Sequence, residues 1–134
     1  MKNNTRAFYH TLLLIFAGML TTSFNNTFAQ HKQPYVRIAQ IVVDSAHLEN
    51  YKAALKEHAQ AAVSKEPGVL TLFAVYDKDN QTHVTVFEIY ASEDAYQLHI
   101  HTPHFLKYKT TVRNMVQSLV LTDVVPIVLE TKHM

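Results

Sequence analysis

The chain has 134 residues with no cysteine and two glycines, and its twelve Lys and Arg side chains nearly balance eleven Asp and Glu. Without cysteine it has no disulfide, thiolate nucleophile or iron–sulfur cluster, and a single glycine beyond residue 29 excludes G-x-G-x-x-G and P-loop nucleotide sites. The near-neutral balance gives no electrostatic footprint for nucleic acid or an anionic membrane surface.

Residues 1–29 have the layout of a secretory signal peptide. Lys2 and Arg6 make a positive start, residues 12–20 form an apolar run too short to span a bilayer, and Thr27-Phe28-Ala29 offers small residues on either side of Phe28 before a cut at Gln30. The expected mature protein is a single domain, residues 30–134, secreted or periplasmic and free of the membrane. Loss of Lys2 and Arg6 leaves ten basic and eleven acidic side chains.

Tyr35–Val43 is rich in β-branched residues and reads as a strand. Asp44 and Ser45 are helix N-cap types, and Leu48, Tyr51, Leu55, Ala59 and Ala62 follow at spacings of three and four. They predict an amphipathic helix that ends at Glu66-Pro67-Gly68. Val69–Tyr76 and His83–Tyr90 read as a pair of strands joined by the Asp77-Lys78-Asp79-Asn80-Gln81 turn. Ser92 caps a short helix predicted to reach about His101. Thr102 and Pro103 start another, predicted to run through Tyr108, Val112, Met115 and Leu119. Residues 124–131 read as the last strand, and Pro126, which cannot donate to a ladder, predicts that it lies at an edge or against another chain.

The order βαββαβ predicts an α+β, ferredoxin-like antiparallel sheet with its helices on one face. Both faces of the middle strands are largely apolar, with Leu70, Leu72, Ala74 and Tyr76 on one side of the second strand and Val69, Thr71, Phe73 and Val75 on the other. A sheet with one wet face alternates polar and apolar residues instead. The second face therefore calls for a cover, and a second copy is the simplest one, which predicts a homodimer.

The chemistry concentrates in residues 95–105, which hold His99, His101 and His104. On a helix His99 and His101 point about 200° apart. Pro103 separates His101 from His104, and the run contains no carboxylate, so no metal site is expected there. Ala95, Tyr96 and His99 share a helix face. Glu88 lies within an apolar strand, where an ionised carboxylate is costly unless paired.

These segments carry a family resemblance. Glu66-Pro67-Gly68 opens the second strand, Glu88-x-Tyr90-x-Ser92 closes the third, and Ala95-Tyr96-x-x-His99-x-x-Thr102-Pro103-His104-Phe105 follows. In this order they resemble the E-P-G, E-x-W-x-S and A-F-x-x-H-x-x-S-P-H-F motifs of the antibiotic biosynthesis monooxygenases, small quinol and anthrone oxygenases that form dimeric α/β barrels. Tyr90 stands where that family has tryptophan. The resemblance implies oxidation of a small aromatic or quinol-like substrate by O₂ without metal or organic cofactor. It makes His99 the base, since imidazole with its ordinary pKa of about 6.5 suits proton transfer at neutral pH, with Glu88 orienting it and Tyr90, Tyr96 and His104 on the substrate. The haem-degrading branch uses an Asn, Trp and His set; this chain has no tryptophan, and Lys109 falls near that histidine's place. Two other readings stay open: a non-catalytic dimeric module for an apolar ligand, and an isomerase of a small carbonyl compound. His99 can also serve structure alone by bonding a backbone carbonyl or Glu88.

Overall fold

The computed structural model describes residues 33–130. The expected leader and its cut before Gln30 lie outside them. Four strands, β1 (Tyr35–Val43), β2 (Val69–Tyr76), β3 (His83–Tyr90) and β4 (Val116–Val124), form one antiparallel sheet in the order β2-β3-β1-β4. The helices are α1 (Leu48–Lys65), α2 (Glu93–His99) and α3 (Pro103–Val112), all on one face of the sheet, which is the ferredoxin-like α+β arrangement. Among the described residues no helix is long and apolar enough to cross a membrane.

Local chemistry sets most boundaries. The Asp44 carboxylate accepts from the Ala46 amide at 2.9 Å and starts the 3₁₀ turn that leads into α1. Ser92 Oγ accepts from the Ala95 amide at 3.2 Å, and Thr102 Oγ1 from the Phe105 amide at 3.3 Å, so each short helix begins on a side-chain cap. The core lies between α1, α3 and the sheet. Tyr51 and Leu55 pack against Ala39, Ile41, Val43, Val84 and Val86, with Val112 closing it. The register places these strand residues side by side, Ala39 opposite Val86 and Ile41 opposite Val84. Each fully buried aliphatic side chain contributes about 1.5–3 kcal/mol.

Two expectations need correction. The final strand is Val116–Val124, and α3 stops at Val112 instead of continuing to Leu119. Met115 and Leu119 do continue the helical spacing, but Val116, Val120, Thr122 and Val124 are β-branched. Here β1 also offers them a ladder, from Val43 opposite Val116 to Val36 opposite Val124. The strand is indeed at an edge; Pro126 lies beyond its end and is not the cause. The second correction concerns β2. The register shifts between Val69 and Thr71, so Leu70 is the extra residue of a bulge. Val69 enters the core at 4% exposure and Leu70 faces solvent at 50%. This is the reverse of simple alternation.

The face without helices is apolar and open. Phe73 and Phe87 pack with ring centres 6.4 Å apart, and both are exposed, with Val75 and Val120 beside them. Beyond β4, Val125, Ile127, Val128 and Leu129 are also exposed.

Candidate active site

Glu88 and Tyr90 alternate along β3 with Phe87 and Ile89, and the register puts Arg37 of β1 and Leu72 of β2 beside Glu88. Glu88, Arg37 and Leu72 point toward the helices and line a cavity of about 510 Å³ whose walls also include Leu55, Val86, Tyr96, Phe105 and Leu121. Glu88, Arg37, His58, Tyr108, Lys109 and Arg113 are its polar contributors. A hollow of similar size, about 520 Å³, lies along Gln40, Val42, Val75, Thr85 and Val120; its titratable groups, Tyr76, Asp77 and His83, are exposed. The first cavity combines apolar walls with a half-buried carboxylate, as a small-molecule site requires.

The Glu88 carboxyl is held above the ordinary carboxylate range by burial, which the Tyr90 hydroxyl, His99 and Arg37 oppose only in part. Tyr90 donates its hydroxyl to Glu88 Oε2 at 3.0 Å. Burial, next to the Glu88 charge, pushes the Tyr90 phenol upward, so it remains a donor. Tyr96 lies edge-on to Tyr90, ring centres 5.4 Å apart, and the Arg37 guanidinium sits 4.5 Å above its face. Arg37 Nε is 2.7 Å from Asp123 Oδ1, close enough for an ion pair but without hydrogen-bond alignment.

His99 is among the most buried side chains, at 1% exposure, and does not line the cavity. Its expected pairing with Glu88 is not found. Nδ1 of His99 instead meets Glu66 Oε1 at 2.8 Å, and the same oxygen meets His104 Nε2 at 2.5 Å. The reason is topological: Glu66 follows the last turn of α1, where it faces the end of α2 and the first turn of α3, while Glu88 is occupied by Tyr90. Thr102 locks the junction between the two short helices by donating Oγ1 to the His99 carbonyl at 2.8 Å. His101 points the other way, as the helical angle requires, and its Nδ1–H donates to the Gln97 carbonyl at 2.7 Å.

Of the residues singled out in the sequence, Glu88 and Tyr96 line the cavity, Tyr90 stands behind Glu88, and His99 and His104 meet on Glu66. Two participants carry no chemical signal in the sequence reading. Glu66 looks like a helix terminator. His58 continues the Tyr51, Leu55, Ala62 spacing of the buried α1 face, a pattern that marks burial and not chemistry. Its ring stacks on Tyr108 with centres 4.7 Å apart and lies 5.2 Å from the His99 ring. Burial, aided by the charges of His99 and His104, lowers its pKa to about 4, so it is neutral near pH 7.

A ferredoxin-like chain with a helix-side cavity and these ordered motifs defines a class of small α+β proteins. The particular family follows from comparison: residues 34–111 match the antibiotic biosynthesis monooxygenase family model, and the chain belongs to that family. It is 46% identical to a crystallographically characterised Bacteroides thetaiotaomicron VPI-5482 protein that carries the same family name. That match covers 76% of this chain and 97% of the other, with a TM-score of 0.73. A Nitrosomonas europaea protein of the same family name is 21% identical over 72% of this chain and 92% of its own, TM-score 0.68. Rv0793 of Mycobacterium tuberculosis is 21% identical over 74% and 100%, TM-score 0.66. At these lower identities the likeness concerns the fold. No curated protein matches the chain.

Proposed function

We propose that this protein is a monooxygenase that oxidises a small aromatic or quinol-type substrate with O₂ and uses no cofactor in that step. Membership of the family and the 46% identical relative support the general role. The finer reading rests on one observation, a carboxyl with an upward-shifted pKa set in the wall of an apolar cavity of about 510 Å³. In this reading Glu88 takes the phenolic proton, because it faces the substrate space and burial makes it a stronger base than an ordinary carboxylate. Tyr90 fixes the carboxylate by its hydroxyl. His99 acts from behind as a positioning residue, with His104 beyond it. Tyr96 and Phe105 pack against the substrate ring.

Removal of the proton leaves an electron-rich anion that can pass an electron to O₂. The stoichiometry closes without an outside reductant: a hydroquinone and O₂ give a hydroxyquinone and water, one oxygen atom entering the ring and the other leaving as water. The substrate is the reductant, and apolar walls exclude bulk water from the intermediates.

Two assignments accompany this. The protein functions as a homodimer that covers the apolar sheet face around Phe73 and Phe87, and it is exported, secreted or periplasmic, after removal of residues 1–29. Oxygen uptake by the purified mature protein with a panel of hydroquinones and anthrones tests the activity. Uptake that disappears in Glu88→Gln supports the mechanism. Saturable ligand binding without uptake means a binding module, and substrate conversion without O₂ means an isomerase.

A further inference from the structure

Glu66, His99 and His104 each offer a ligand atom within 4.8 Å of the other two. They come from three separate pieces of chain: the turn after α1, the end of α2 and the first turn of α3. Their side chains are 13%, 2% and 17% exposed. Such a set is rarely assembled by chance in a buried position, because each member loses hydration and must recover it from its neighbours. One carboxylate oxygen here receives both imidazoles.

The geometry is close to a metal centre. Bonds of 2.0–2.1 Å in a tetrahedron separate neighbouring donor atoms by about 3.3 Å. The two contacts to Glu66, at 2.5 and 2.8 Å, need to open by less than an ångström, and the two nitrogens need to close from no more than 4.8 Å. A second observation points to the same place. His58 Nδ1 is buried and has no hydrogen-bond partner, in a residue only 6% exposed. Its ring centre lies 5.2 Å from that of His99 and 5.8 Å from that of His104, while the latter two are 6.1 Å apart. Imidazoles that share a tetrahedral ion have ring centres about 5 Å apart, by the same bond lengths. His58 and His104 also line a small hollow of about 80 Å³ with Glu57, Lys107 and Thr111, which gives an ion a route from solvent.

We propose that Glu66, His99 and His104 bind one first-row divalent cation of the Zn²⁺ type per chain. Two nitrogens and one carboxylate oxygen suit zinc or its neighbours and disfavour Ca²⁺ and Mg²⁺, which take oxygen ligands. On binding, the ion takes the place of the two direct contacts between Glu66 and the imidazoles. The site is a clasp: it fastens α2 and α3 to the turn between α1 and β2. None of Glu66, His99 and His104 lines the large cavity, so the ion would not touch the substrate.

The test uses untagged mature protein, stripped with chelator and titrated with ZnCl₂ and, separately, CoCl₂. Expected are one ion retained per chain after dialysis, a four- or five-coordinate Co²⁺ visible spectrum, and a melting temperature raised by roughly 10 °C at a hundredfold excess over Kd. Glu66→Gln and His104→Ala should each weaken binding at least tenfold, whereas His83→Ala and His101→Ala should leave it unchanged. The proposal is overturned by absence of retained metal, by a six-coordinate aquo-type Co²⁺ spectrum, or by binding that depends on His83 or His101 instead. The spectrum and stoichiometry of the unaltered protein decide the matter even where a cluster variant fails to fold.

Discussion

Gly68 offers the sharpest test of how the turn after α1 positions the site. No glycine among the described residues has positive φ, so the requirement at Gly68 is for space. A Cβ there would stand 2.6 Å from Ala95 Cβ and 3.5 Å from Ala95 Cα. Ordinary contact begins near 3.4 Å, so in Gly68→Ala helix α2 must recede by roughly 0.8 Å in a close-packed region. Overpacking of this kind costs about 1–3 kcal/mol. The lower entropy of the unfolded alanine chain returns about 0.4–1 kcal/mol, which leaves a net loss of about 1–2 kcal/mol. For a domain of about 100 residues each kcal/mol lowers Tm by about 4–8 °C, so a fall of about 5–15 °C is expected. Calorimetry at one fixed protein concentration measures it. The double variant with Ala95→Gly isolates the clash, because removal of the opposing methyl should recover most of the coupling. A Gly68→Ala protein that melts with the unaltered one, or a cycle with coupling below about 0.3 kcal/mol, refutes the reasoning.

Three further outcomes follow from the same coordinates. Tyr51→Phe removes the 3.0 Å hydroxyl pair with Tyr108 in the core; urea unfolding should show a loss of about 1 kcal/mol with an unchanged m-value. If Glu88 is the base, kcat/KM rises with pH through a pKa above the ordinary carboxylate range, since only the ionised form accepts a proton; Glu88→Gln should abolish that limb, and a limb that survives removes Glu88 from the role. Phe87→Lys places a charge in the apolar face, and sedimentation should then give half the mass of the unaltered protein; a monomeric mass for both would eliminate the proposed dimer.

The sequence discloses what is local. The β-branched runs of β1, β2 and β3, the caps at Asp44, Ser92 and Thr102, and the breakers Pro67 and Gly68 each act within a few residues, and each marks its boundary correctly. Met115 and Leu119, three and seven positions past the end of α3, keep the helical spacing by accident; only pairing with β1 decides the state of Leu119. Leu70 misled because a bulge is set by the partner strand's register, which alternation in one strand does not contain. The site divides along the same line. Glu88 and Tyr96 were visible as a carboxylate and a ring on predictable faces. The join of Glu66 with His99 and His104 spans 33 and 38 residues, and no spacing rule reaches so far. The histidine run has no carboxylate of its own; its carboxylate, Glu66, arrives from the far end of α1.

Helix α2 has seven residues, too few to persist alone in water. Its amides should therefore exchange with deuterium as a single cooperative unit, in step with the first turn of α3, at a rate set by how often the Glu66 carboxylate releases its two imidazoles. If so, the wall of the cavity that carries Tyr96 and Ile100 is also its door, and the lifetime of one oxygen's contacts governs how fast a ligand can pass.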